Sequence, residues 1–205
     1  MKLYFTYNSS TIDDALALAQ QTAEYADIIG IGSLLLYKEG IKAITIFKAH
    51  FPHKTLCAEA HVIEKAQDAI TMIAQAGATY ISVLAGSSSR VIKKSSEVAI
   101  SHDAKIALDL INAPSVGQAA LEAKTQGIDF LIFYHHATTD EGYDFAAEWH
   151  NVRDNTDVPI FIAGALNESN IHRIIELKPQ GIIIGSALTK AENPAQTAHF
   201  FRSLI

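Results

Sequence analysis

Short apolar or alternating runs return along this chain at intervals of roughly 20 to 30 residues, and each fits the template of a buried strand. They cover Leu3–Tyr7, Asp27–Gly32, Thr55–Ala60, Tyr80–Ala85, Lys105–Ile111, Phe130–His135, Pro159–Ala163 and Gly181–Gly185. Stretches with helical spacing lie between them, such as Ile12-Ala15-Leu16-Ala19 and Ala66-Ile70-Ile73-Ala74, several behind a Ser, Thr or Asn suited to capping. Gly77, Gly127 and Gly181 stand where helices give way to the next strand, as expected of left-handed C-terminal turns. Strand and helix alternating eight times imply a parallel sheet with right-handed crossovers. Such a sheet closes into a (β/α)₈ barrel or lies open and doubly wound. An open nucleotide-binding sheet places a glycine-rich loop after its first strand, whereas here that region reads Tyr7-Asn8-Ser9-Ser10-Thr11. The pattern therefore predicts the α/β class as a single-domain (β/α)₈ TIM barrel over residues 1–205.

Composition narrows the partners. Sixteen Lys and Arg stand against 22 Asp and Glu, a net charge of -6, which leaves no electrostatic footprint for nucleic acid or an anionic membrane surface. No apolar run approaches the roughly 20 residues that cross a bilayer. Cys57 is the one cysteine, so no internal disulfide is expected, and with no apolar leader the expected location is cytoplasmic.

A small anion remains compatible with this charge, because backbone N–H groups hold phosphate without net positive charge. The seventh strand ends Ala163-Gly164-Ala165 and the eighth ends Ile184-Gly185-Ser186. The last two strand ends of a barrel commonly build a phosphate site. Gly164 and Gly185 let the main chain approach an anion and Ser186 adds a hydroxyl donor, so these three are the expected phosphate-binding residues.

Over essentially its whole length the chain resembles the family of 3-hexulose-6-phosphate synthase and 3-keto-L-gulonate-6-phosphate decarboxylase, within the orotidine-monophosphate decarboxylase superfamily. The resemblance is carried by Tyr25-Ala-Asp-Ile-Ile-Gly-Ile-Gly-Ser33, Lys38-Glu-Gly-Ile-Lys-Ala-Ile44, Phe51-Pro-His-Lys-Thr-Leu-Cys-Ala-Glu59, Phe133-Tyr-His135, Ala163-Gly164 and Ile184-Gly-Ser-Ala-Leu188, with the ending Ala191-Glu-Asn-Pro-Ala195. It implies a carbon–carbon lyase working on a small phosphorylated sugar: aldol addition of formaldehyde to ribulose 5-phosphate or its reverse, or decarboxylation of a keto-gulonate phosphate. It also implies an enediolate intermediate, a magnesium ion that meets the charge developing on oxygen, and a homodimer.

Several family positions carry different chemistry here. Asn8 stands at the end of the first strand where the family has Asp, and an amide cannot act as a base. Gly30 stands where the second strand supplies a magnesium-binding Glu, so one ligand is absent and Glu59 is left as the metal candidate. The third-strand pattern Asp-x-Lys-x-x-Asp reads Glu59-Ala-His61-Val-Ile-Glu64. A period of two sets Glu59 and His61 on one face, and Glu59, His61 and Glu64 together can hold a divalent metal or transfer protons. The same residues can equally be polar remnants that bond one another and water. On the sixth strand Phe133-Tyr-His135-His136 resembles the family pattern Tyr-His-Arg-Ser-Arg, which implies that His135 is a catalytic proton donor, while His136 and Thr138 replace arginines. Asp109 ends the fifth strand and either orients a lysine or a substrate hydroxyl, or serves as a cap or ion-pair partner. The third strand is also similar to the Asp-x-His of ribulose-phosphate 3-epimerase, but the other metal-site residues of that enzyme are replaced by Gly30-Ile-Gly32 and Ala163-Gly-Ala165. Three functions follow: a lyase with changed chemistry, a phosphosugar-binding protein without catalysis, or an isomerase or epimerase using Glu59, His61 and His135.

Overall fold

The computed structural model describes residues 1–135 and 145–205. Eight parallel strands, β1 (Lys2–Tyr7), β2 (Ile28–Ile31), β3 (Thr55–Val62), β4 (Tyr80–Leu84), β5 (Lys105–Asp109), β6 (Phe130–His135), β7 (Ile160–Gly164) and β8 (Gly181–Ile184), close into a barrel in sequence order. Closure is direct, with Lys2 opposite Gly181 and Phe5 opposite Ile184. The eight strands expected from periodicity are all present, and the (β/α)₈ barrel is the fold.

The helices are α1 (Ile12–Thr22), α2 (Ser33–Glu39), α3 (Lys42–His50), α4 (Ala66–Gln75), α5 (Ser89–Ser101), α6 (Val116–Ala123), α7 (Phe145–Arg153), α8 (Ile171–Glu176), α9 (Ser186–Thr189) and α10 (Pro194–Ser203). Their starts are set locally. Thr11 accepts the Asp14 N–H ahead of α1, Ser88 that of Val91 ahead of α5, Ser115 that of Gln118 ahead of α6, and Asn193 that of Gln196 ahead of α10. Each such cap satisfies a donor that the helix itself leaves open.

Gly77 and Gly127 take positive φ, as a left-handed helix end requires. The third expected case differs. Lys178, with φ 54°, makes the left-handed turn after α8, and Gly181 is already the first residue of β8. Its missing side chain instead makes room for Phe161, whose ring lies 2.2 Å from where a Cβ would sit.

Two apolar clusters follow from strand alternation. Tyr4, Ile28, Cys57, Ala107, Phe130, Ile132, Phe161, Ala163 and Ile183 pack inside the barrel, while residues such as Leu3, Phe5, Ile29, Ile31, Leu131 and Ile162 pack outward against the helices. The interior is a filled core whose aromatic members touch, Phe130 and Phe161 at 4.5 Å between ring centroids. Function is left to the rim where the strands end. Among the described residues no helix is long and apolar enough to cross a membrane.

Candidate active site

The C-terminal mouth of the barrel opens into a cavity of about 390 Å³ lined by Thr6, Asn8 and Ser33 on one side, Glu59, His61, Asp109 and Tyr134 across the middle, and Gly164, Gly185, Ser186 and Thr189 on the other. A larger surface hollow of about 960 Å³ lies between the starts of α4 and α5, on the outside of the barrel, and holds none of these residues. The strand ends, not that hollow, gather the polar groups.

Each side chain reaches the mouth through its strand. Tyr4, Thr6 and Asn8 follow one another with a period of two along and just beyond β1. The same alternation along β2 turns Gly30 inward above Ile28, and a Cβ on Gly30 would lie 2.3 Å from Tyr4 Cε2 and 2.7 Å from Glu59 Oε1. The Tyr4 ring thus occupies the space that a side chain on β2 would use. Its hydroxyl donates to Glu59 Oε1 at 2.8 Å. Burial, with the charge of Glu59 adding to it, holds the Tyr4 phenol well above its usual range, so it stays a neutral donor. Burial also pushes the Glu59 carboxyl up, against the lowering influence of the Thr6 and Tyr4 hydroxyls and of His61.

His61 arrives by a distortion that alternation does not foresee. Between Ala58 and Val62 β3 advances four residues while β4 advances two, from Ile81 to Val83. The surplus is absorbed in a bulge in which His61 has φ 48°. The buried Ser82 hydroxyl accepts the His61 backbone N–H at 2.8 Å and anchors it. The imidazole Nε2 then lies 3.0 Å from Asp109 Oδ2. Asp109 is fully buried and well supplied: Tyr134 donates its hydroxyl to Oδ2 at 2.9 Å, and the Ile111 N–H donates to Oδ1 at 2.9 Å. Partial burial pulls the His61 pKa down, but the hydrogen bond to Asp109 and the charges of Asp109 and Glu59 outweigh it, and the net shift is upward.

Of the residues singled out by sequence, Asn8, Glu59, His61, Gly164, Gly185 and Ser186 share this cavity. Glu64 does not: it lies on the exposed turn after β3, outside the lining. Neither does the His135 side chain. Alternation along β6 sends Phe130, Ile132 and Tyr134 inward, so His135 sits on the outward side with Phe133, its ring 4.6 Å from that of Phe145 on α7. Tyr134, the neighbour that sequence reading passed over, holds the inward place. Asn8 has a structural duty as well, its Oδ1 accepting the Leu34 N–H at 2.8 Å in the first turn of α2. His136 and Thr138 lie outside the described residues.

The implied magnesium ion meets an unsuitable donor set. The position on β2 that would carry a ligand is Gly30, and Tyr4 fills the space above it. One Glu59 oxygen accepts Tyr4, and both Asp109 oxygens accept protein donors. Among the described residues no three His, Cys, Asp or Glu side chains are grouped to hold a metal. The residues present do not fit a hard cation that takes several oxygen ligands.

No family model matches the chain. It is 28% identical to the 3-hexulose-6-phosphate synthase of Bacillus subtilis (strain 168), with all of this chain and 99% of that protein covered. A solved 3-hexulose-6-phosphate synthase superposes with a TM-score of 0.91 at 26% identity, covering both chains completely. This chain belongs to the family of 3-hexulose-6-phosphate synthase and 3-keto-L-gulonate-6-phosphate decarboxylase. The KGPDC of Streptococcus mutans, solved in complex with ribose 5-phosphate, shares the fold at a TM-score of 0.89 and 17% identity, covering 98% of this chain and 95% of its own. The barrel of the family is retained here, with Asn8, Gly30, Glu59 and His61 at four positions of its mouth.

Proposed function

We propose that the barrel mouth binds a phosphorylated ketose and makes or breaks a carbon–carbon bond next to its carbonyl, through an enediolate. The observation that carries this reading is the cavity in which Gly164, Gly185 and Ser186 face the His61–Asp109 pair. Gly164 and Gly185 bring main chain to the rim, and the leading N–H groups of α9 have no partner within the helix, which suits an anionic phosphate. The sugar then extends toward Glu59, His61 and Tyr134. The relatives named as hexulose-phosphate synthases, and the structural neighbour solved with ribose 5-phosphate, support the substrate class.

The changed residues alter how the reaction is run. A lysine at position 61 would be a permanent point charge, whereas His61 is an acid or base whose charge depends on Asp109. Asn8 keeps a hydrogen-bonding amide but no charge.

The test is consumption of formaldehyde with ribulose 5-phosphate, and release of carbon dioxide from 3-keto-L-gulonate 6-phosphate, each beside a calorimetric binding titration. Turnover of either substrate is the expected result. Tight binding of both without turnover would replace the lyase with a phosphosugar-binding protein, and no binding would remove the phosphosugar reading.

A further inference from the structure

We propose that this site moves a substrate proton without a metal ion, with the imidazole of His61 as the proton carrier and Asp109 as the residue that positions it. The proposal rests on the phosphosugar reading above and adds the group that does the chemistry.

The geometry selects one nitrogen. Asp109 Oδ2 accepts from the Tyr134 hydroxyl, and a carboxylate facing Nε2 of His61 at 3.0 Å is an acceptor as well. Nε2 therefore carries the hydrogen, which leaves the lone pair of the neutral ring on Nδ1. Among the described residues Nδ1 has no hydrogen-bond partner, and the side chain, 21% exposed, lines the cavity. Two independent constraints aim it. The carboxylate fixes the far side of the ring, and the backbone is pinned at φ 48° by Ser82, a conformation few residues other than glycine adopt. A sparsely populated backbone state held by its surroundings is a common mark of a working site.

The chemistry is balanced with these groups alone. The hydrogen on the carbon beside the carbonyl passes as a proton to Nδ1. The C–H electron pair becomes the C=C bond of the enediolate, and the carbonyl π pair moves onto oxygen. Return of the proton from Nδ1–H to carbon reverses each change, and nothing is oxidised or reduced. The charge on oxygen faces the imidazolium just formed. It also faces the amide of Asn8, whose Oδ1 is committed to Leu34 N–H and whose Nδ2 is left to donate. The place from which a β2 carboxylate would bring a metal is closed by Tyr4.

The decisive experiment follows deuterium entering ribulose 5-phosphate in heavy water by NMR, in EDTA and with added magnesium, beside calorimetric binding of the same sugar phosphate. Wild type is expected to bind and to exchange at the same rate in both buffers. His61→Gly, which tolerates the positive φ, is expected to bind, to exchange about 100-fold or more slowly, and to recover rate when free imidazole is added. Asp109→Asn is expected to lower kcat for exchange with little change in KM. If that buried change prevents folding, the His61→Gly rescue decides alone. Exchange that stops in EDTA, exchange at the wild-type rate in His61→Gly, or binding without exchange overturns the proposal while leaving the phosphosugar reading intact. Absence of binding overturns both.

Discussion

Gly30 and Tyr4 behave as one unit, because the ring of one uses the volume that the other gives up. Gly30→Ala sets a Cβ 2.3 Å from Tyr4 Cε2 in a packed interior, and overpacking of this kind costs about 1–3 kcal/mol. Tyr4→Phe keeps the ring atom that clashes and is expected to give no relief. Tyr4→Val removes it, so Gly30→Ala with Tyr4→Val should lose less stability than the two single losses added together. Urea denaturation of the four proteins measures the coupling, and simple additivity would show that the two positions do not share space. His61 makes a separate prediction. Its folded pKa is raised above the unfolded value, so the native state holds the proton more tightly. The stability it contributes is complete below about pH 6.5, the unfolded value, and is lost as pH rises through the folded value. The gap in Tm between wild type and His61→Asn is therefore expected to shrink from pH 6 to pH 9. A gap that stays constant over that range would mean that Asp109 does not hold His61 in its charged form.

At the scale of elements, the strand ends decide which residues meet, and β7 shows how strictly. Gly164 has φ 111°, and a Cβ there would lie 2.1 Å from the His135 carbonyl oxygen on β6. Backbone cannot yield as a flexible side chain does. Gly164→Ala is expected to cost at least about 1–3 kcal/mol of strain and, by shifting the β6–β7 rim, to raise the KM for ribulose 5-phosphate about tenfold or more; steady-state kinetics and thermal melts read the two effects. The strands themselves were legible, because eight apolar runs with turn residues between them leave little choice of architecture. Their inward faces were legible only where alternation holds. Applied to β6 from Phe130 it gives Tyr134, not His135, as the residue in the mouth, and Phe133-Tyr134-His135 misleads when read as a motif instead of a period. On β3 the opposite occurs: His61 reaches the cavity through a bulge, and nothing in Glu59-Ala60-His61 marks the two surplus residues, since no glycine announces the positive φ. Asp109 was visible as a carboxylate at a strand end, but its partners come from β3 and β6 and exist only once the barrel closes. The same holds for Tyr4 above Gly30, which joins β1 to β2, and for Glu64, whose spacing matches a pattern while its side chain stays on an exposed turn.

For the whole molecule, closure makes the site and the core parts of one cooperative structure. β1 pairs with both β2 and β8, so no strand is an edge and none can leave without breaking two ladders. The interior cluster runs from Phe161 and Phe130 up through Ile132, Ala163 and Ile183 to the rim, and the last three also line the cavity. Packing inside the barrel thereby supports the floor on which His61, Asp109 and Tyr134 stand. Phe161 is the sharpest probe of that link. It touches Phe130 and fills the space left by Gly181, and truncating a buried Phe to Ala costs about 3–5 kcal/mol. Trp149 on α7 is buried 6.2 Å from Phe133 and reports on the outer shell, far from the inward face that Phe161 occupies. Phe161→Ala is expected to move the Trp149 fluorescence transition and the far-ultraviolet circular dichroism transition to lower urea together, by the same amount. Two separated transitions would show that the barrel interior and its helical shell unfold independently, and the mouth would then owe its geometry to the rim residues alone.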